Sequence, residues 1–245
     1  MPQTFQDDPT LPGRRVWRRS HGAAWGSGLA AVFLGLVTLF MLGADALVAR
    51  MPGGLLVSLF MLALVAFMAA LTAYVWRDMR GKLGGLIILD NTSLTLRLPA
   101  GRSLIHDPPS CREIIPFSDL EAVETRVEFY GAQGMGMMQR VWRLRRRNGA
   151  PVFLFEDRAL GTALAINSME PVAVEIAHRA GVPLNDLGAA KGWGGFLGAW
   201  FARAPDWPAA ALTAAQEAAL WRRVYITGAL VSLVFAATWI LAAVL

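Results

Sequence analysis

The sequence predicts an α+β membrane protein, with three transmembrane helices and a cytoplasmic small β-barrel or sandwich closed by a C-terminal helix. Three observations predict it. The runs Ser20–Ala44, Met51–Trp76 and Val224–Leu245 hold no fixed charge, and each is long enough for the roughly 20 residues a helix needs to cross a hydrocarbon core. Between the second and third runs the hydrophobic period changes from helical to alternating and ends in one helical repeat. Hydrophobic residues make up 55% of the 245-residue chain and charged residues 17%, a balance shifted toward the membrane class.

The net charge of +5 suggests nucleic acid until it is located. From Lys82 to Ala190 there are 12 basic and 12 acidic residues, so this stretch is neutral; the remainder holds 11 basic and 6 acidic, which is the whole excess. Basic residues that flank apolar runs follow the positive-inside rule, whereas a phosphate backbone calls for a basic field across a domain. The single cysteine, Cys111, excludes an internal disulfide.

Taken in order, residues 1–22 read as a disordered basic tail, rich in proline at Pro2, Pro9 and Pro12. Arg14, Arg15, Arg18 and Arg19 hold the N-terminus inside, with Trp17 and Trp25 suited to the interface. A cleaved signal is the competing reading: a paired Arg14-Arg15 precedes the apolar run and Ala44-Asp45-Ala46 fits an A-x-A site. Against it, the run is long and a second follows at once. Residues 23–81 form a helical hairpin, its first helix ending near Gly43 and its second spanning about Gly54 to Trp76, with Arg77, Arg80 and Lys82 pinning its end inside. Asp45 reads as a residue of the outer loop rather than an intramembrane functional carboxylate.

Residues 82–184 form the water-soluble domain. Leu86–Leu89, the turn at Asp90-Asn91 and alternating Leu94, Leu96 and Leu98 give a first hairpin. Pro99–Cys111 is irregular, and Ser118 or Asp119 caps a single turn. Val123, Thr125, Val127 and Phe129 alternate with Glu124, Arg126, Glu128 and Tyr130, which predicts an amphipathic strand with its charged side in water. Gly131–Gln139 reads as a loop, and Val141–Arg147 and Val152–Phe155 as strands joined by a type I′ turn at Asn148-Gly149. The closing helix has Asn167 or Ser168 at its N-terminus, Pro171 in its first turn and Gly181 as C-cap. Residues 185–223 form an interfacial linker and amphipathic helix, with Trp193, Phe196, Leu197, Trp200 and Phe201 at helical spacing and a capping box at Thr213 and Gln216. Trp221 and Tyr225 mark the inner interface of the third crossing, residues 224–245.

The segment Leu86–Leu184 resembles the bacterial pleckstrin-homology-like (PH-like) domains of small membrane proteins. The similar features are the first hairpin, the phrase Ile114-Ile115-Pro116-Phe117-Ser118-Asp119-Leu120-Glu121-Ala122-Val123 leading into a strand, the hairpin around Asn148-Gly149, and the helix ending at Gly181-Val182-Pro183. The resemblance implies two roughly orthogonal sheets capped by a C-terminal helix, with no enzymatic activity and no fixed site residues. A bacterial inner-membrane location is expected, and the basic clusters beside each apolar run place the N-terminus and soluble domain in the cytoplasm and the C-terminus outside it.

Candidate contacts are few. Arg143, Arg145 and Arg147 share one face of a strand, with Arg140 and Arg146 nearby. Three cations beside a bilayer suit anionic lipid, at about 1 kcal/mol each; the competing reading pairs them with Glu124, Glu128 and Glu156. Met135, Met137 and Met138 offer an adaptable surface for lipid or partner. His106, Asp107, Cys111 and Glu113 lack the spacing of a metal site, so neither metal nor cofactor is expected. Trp193, Phe196, Trp200, Phe201, Trp221 and Tyr225 are expected at the membrane interface. These features suit a non-enzymatic scaffold or adaptor that binds membrane lipids, a protein partner or another copy of itself, and no nucleic acid. The alternatives are a subunit of an oligomeric pore or transporter with the domain as gate, and an enzyme acting on lipid. The last needs a convergent polar pocket that the sequence does not reveal.

Overall fold

A computed structural model of the chain describes residues 5–8, 11–19, 21–103, 105–132, 135–159, 169–194, 202–223, 225–226, 229–230 and 233. The elements in order are β1 (Gln6–Asp7), β2 (Arg15–Arg18), α1 (His21–Val48), α2 (Leu55–Lys82), β3 (Leu86–Leu89), β4 (Ser93–Leu98), β5 (Cys111–Pro116), a 3₁₀ turn (Phe117–Asp119), β6 (Leu120–Ala132), β7 (Met135–Arg146), β8 (Val152–Ala159), α3 (Glu170–Ala180) and β9 (Leu184–Lys191). The fold is α+β, as the sequence predicts. It has no closed barrel: a five-stranded sheet runs β1-β2-β3-β4-β5 and a four-stranded sheet runs β8-β7-β6-β9. The chain forms two compact units, residues 18–87 with 96–112, and residues 1–17 with 88–95 and 113–245; the boundary passes through β2, β3, β4 and β5.

In the helical unit, residues 24–48 and 55–82 are long and apolar enough to cross a membrane. Their large side chains turn outward along both helices: Phe33, Phe40, Leu56 and Phe60 are each at least 66% exposed. α1 continues to Val48, past the expected end at Gly43, because no helix breaker occurs before the turn at Met51-Pro52-Gly53. Asp45 therefore lies in its last turn and is buried, not in a loop. α2 likewise runs beyond Trp76 through Arg77, Asp78 and Arg80. Lys82 donates to the Asp78 carboxylate, its partner one turn earlier, and to the Ser27 hydroxyl of α1, which in turn donates to Asp78. Gly81 touches the loop after β4 so closely that a Cβ there would lie 2.1 Å from the Gly101 carbonyl oxygen; glycine is what admits that approach. The third crossing, residues 224–245, falls largely outside the described residues, as do Asn167 and Ser168.

In the other unit, the described tail residues before the basic cluster, 5–8 and 11–13, are ordered, contrary to the expected disordered tail. β1 and β2 pair antiparallel, and Trp17, 1% exposed, sits with its ring 5.4 Å from that of Phe155 rather than at an interface. Arg15 pairs with Glu175 of α3 at 2.8 Å, and Arg179 donates to the Gly13 carbonyl. The hydrophobic period here is too short to show in the sequence, since one buried aromatic anchors four residues.

α3 buries Val172, Ala173, Ile176 and Ala177, and ends at Gly181 in the left-handed conformation as expected. It is not the last element. Where the resemblance implies a terminal helix, the chain turns at Pro183 into β9, which pairs parallel with β6. The Gly131–Gln139 loop is also corrected: Gly131 and Ala132 pair with Gly136 and Met135, so β6 and β7 extend through it as one long hairpin. Asn148-Gly149 does not form a type I′ turn. Gly149 has positive φ but Asn148 does not, and the backbone N–H of Arg147 is tied to the Asp119 carbonyl instead.

Candidate functional site

The four-stranded sheet carries most of the charged chemistry. On β6 the side chains of Glu124, Arg126, Glu128 and Tyr130 alternate with those of Val123, Thr125, Val127 and Phe129. The expected wet face is dry: Glu124, Arg126, Glu128 and Tyr130 are all within 1% of full burial, as is Gln139 across the register from Glu128. A buried charge persists only when it is paired and hydrogen-bonded, and here each is. Arg126 donates to the Glu128 carboxylate at 2.8 Å, Gln139 donates to its other oxygen at 3.1 Å, and the Tyr130 hydroxyl donates to that same oxygen. Burial, reinforced by the Glu128 carboxylate, pushes the Tyr130 phenol well up, so it remains a proton donor.

The cover comes from residues 203–212. Trp193 and Arg203 form a two-way backbone bridge, and the N–H of Leu212 reaches the Ala189 carbonyl of β9 at 2.7 Å. Between those anchors Arg126 donates to the carbonyls of Asp206 at 2.7 Å and Pro205 at 2.5 Å. The Trp207 ring lies 4.1 Å from the Arg126 guanidinium and 3.7 Å from that of Arg143, which is cation–π range. The strap thus closes the polar face with two carbonyls and one indole.

The predicted arginine strand is present, and its charges are largely taken. Arg143 pairs with Glu124 at 2.6 Å, and Arg145 pairs with both Glu121 and Glu124. Arg146, on the other face, pairs with Glu113 and Asp119 at 2.8 Å each. Arg147 is exposed and donates to the Leu120 carbonyl. Burial pulls the Arg143 guanidinium down, opposed by its bond to Glu124. Glu128, which the sequence offered as one partner of this strand, serves Arg126 instead. Met138 is half-buried in β7; Met135 and Met137 occupy register positions opposite Ala132 and Tyr130. Trp193 is exposed, whereas Trp221 packs edge-on against Phe129 at 5.8 Å and stacks with Tyr225 at 5.7 Å. The Thr213–Gln216 capping box forms as expected. Phe196, Trp200 and Phe201 lie outside the described residues.

Sequence reasoning missed Arg126, Glu128, Tyr130, Gln139 and Trp207 as one group. The only signal was a charged strand face carrying Tyr130, and nothing in the spacing links it to Pro205-Asp206-Trp207 about 80 residues later. Among the described residues no three His, Cys, Asp or Glu side chains converge to hold a metal ion.

Asp119 organises the turn after β7. Its carboxylate accepts from Arg146 and from the backbone N–H of Asn148 at 3.0 Å, and the Arg146 bond foremost holds it below the usual carboxylate range. A depressed acid adds stability above its unfolded value and loses it as pH falls through its folded value. Urea midpoints of the detergent-solubilised chain should therefore fall as pH drops below about 5, and Asp119→Asn should flatten that limb. An equally steep limb in the variant would assign the acid sensitivity elsewhere.

Compared with family models, curated proteins and solved structures, the chain matches none.

Proposed function

We propose that the chain is a membrane-anchored, non-enzymatic adaptor. In this reading α1 and α2 cross a bacterial inner membrane, the third apolar run crosses it again, and a PH-like module on the cytoplasmic side binds a protein partner or the anionic leaflet. The observation that carries it is the outward apolar surface of the hairpin, with Phe40 and Leu56 at 77% and 79% exposure. A soluble protein does not leave two such helices uncovered. Trp25 and Trp76 line one groove at the charged end of the hairpin, followed in α2 by Arg77, Arg80 and Lys82, as suits an inner interface.

One observation favours the pore reading: Asp45 is buried in α1, and its Oδ1 has no hydrogen-bond partner. Helical rise weighs against it. Asp45 lies 20 residues from Trp25, about 30 Å along the axis and so at the far edge of the hydrocarbon core rather than its centre. An outer-interface carboxylate needs no conducting role. Cross-linking with mass spectrometry in native membranes tests the adaptor. A heterologous partner bound to the soluble module is the expected result, and cross-links confined to copies of the chain would favour the pore.

A further inference from the structure

We propose that the helical unit carries a binding site for one anionic phospholipid, its phosphate held by Arg97 and Arg112 and its acyl chain lying along the α1–α2 groove. The inference rests on the reading that α1 and α2 cross a membrane.

Two cavities carry it. The first, of about 580 Å³, is lined by Gly84, Arg97, Leu98, Pro99, Ser110 and Arg112, among others. Arg97 and Arg112 come from neighbouring strands β4 and β5, and both are exposed. Neither has an ion-pair or hydrogen-bond partner among the described residues, unlike Arg143, Arg145 and Arg146 of β7. The sequence drew attention to the arginines of β7, but carboxylates occupy those. Two free guanidiniums and the exposed Ser110 hydroxyl make a donor set matched to phosphate oxygens.

The second cavity, of about 410 Å³, is an apolar groove between Trp25, Leu29 and Val32 of α1 and Trp76, Met79 and Leu83 at the end of α2. Leu83 lines the groove, and the next residue, Gly84, lines the basic pocket. A basic pocket alone would suit free phosphate, and a groove alone any apolar chain. Lined by successive residues just past the end of α2, they have the order of a phospholipid: chain in the hydrocarbon, phosphate just beyond it. The loop that walls the pocket is built to stay there. Arg102, 4% exposed, donates to the carbonyls of Pro99 and Pro109 at 2.8 and 2.5 Å. Burial lowers its guanidinium to about 10, so it is still a cation at neutral pH. Arg77 of α2 pairs with Asp107 of the same loop, and Gly81 packs on Gly101.

The test offers the full-length chain in detergent equal amounts of phosphatidylglycerol and phosphatidylcholine and counts retained lipid by native mass spectrometry. Phosphatidylglycerol should be retained preferentially at one per chain. Arg97→Gln with Arg112→Gln should weaken that preference about 30-fold, the loss of two surface contacts at about 1 kcal/mol each. Val32→Trp, an exposed position, should fill the groove and reduce retention of either lipid. Arg145→Gln, whose partners are Glu121 and Glu124, should leave retention unchanged. Equal retention of the two lipids, or an unchanged preference in the Arg97/Arg112 variant, overturns the proposal. Displacement of the lipid by millimolar inorganic phosphate, with phosphate itself bound through the two arginines, assigns the pocket to free phosphate and overturns it too. Carbonate extraction of native membranes separates the two readings: a chain released by carbonate sinks the anchor, whereas an integral chain without lipid preference sinks only this site.

Discussion

Replacing Arg126 with Met should destabilise the folded chain by about 3–5 kcal/mol, the range for removing one partner of a buried pair. The loss is not that of a single ion pair. Glu128, fully buried, would lose the Arg126 cation, and the hydrogen bonds it keeps from Tyr130 and Gln139 carry no compensating charge. The carbonyls of Pro205 and Asp206 would lose their donor, and Trp207 one of its two cations. A buried carboxylate that loses its cation is relieved by taking up a proton. The destabilisation should therefore shrink as pH falls and grow as it rises. Urea titrations of the detergent-solubilised chain, followed by hydrogen exchange in β6 and β9, measure both. Arg126→Met with Glu128→Leu should be less destabilised than Arg126→Met alone, because it leaves no charge behind. If the single substitution shifts stability by less than about 1 kcal/mol, the pair is solvated and the strap does not seal the face.

Trp17→Ala should cost about 3–5 kcal/mol, as large aromatic truncations in cores do. The indole is 1% exposed and packs on Phe155 of β8, so its removal leaves a cavity between the N-terminal strand and the four-stranded sheet's side of the same unit. Trp17→Phe separates packing from polarity. It keeps a ring against Phe155 and deletes an indole N–H that is buried without a partner, so it should cost far less. A disordered tail predicts no change for either substitution, and that result, read by the same urea titrations, would remove β2 from the folded core.

These two residues mark where sequence reasoning stops. Trp17 lies among four arginines before an apolar run, a context that reads as an interface marker because local pattern carries no information about Phe155, 138 residues away. Arg126 sits on a strand whose alternation was legible residue by residue. Alternation gives the two faces but not which is wet, since that depends on the chain that returns to cover it. The same limit explains β9. Its sequence, Leu-Asn-Asp-Leu-Gly-Ala-Ala-Lys, has little strand propensity; it becomes a strand because β6 offers a parallel edge after α3 reverses the chain. The free arginines at 97 and 112 were equally invisible, because an arginine's availability is settled by which carboxylates fold beside it.

By itself the sequence determined the class of the protein: two helices apolar enough for a membrane, a β-rich module with one packed helix, Gly181 as its C-cap, the capping box at Thr213, and a charge balance that places the basic excess at the ends of the apolar runs. Those features follow from local chemistry, from propensity, periodicity and the transfer of apolar groups out of water. Only the tertiary structure decided that the sheets stay open, that the N-terminal strand belongs to the core, and that the arginines of β7 are occupied while Arg97 and Arg112 are free. Pairing and burial are properties of residues far apart in the chain, and their energies are set by a neighbour the sequence does not name.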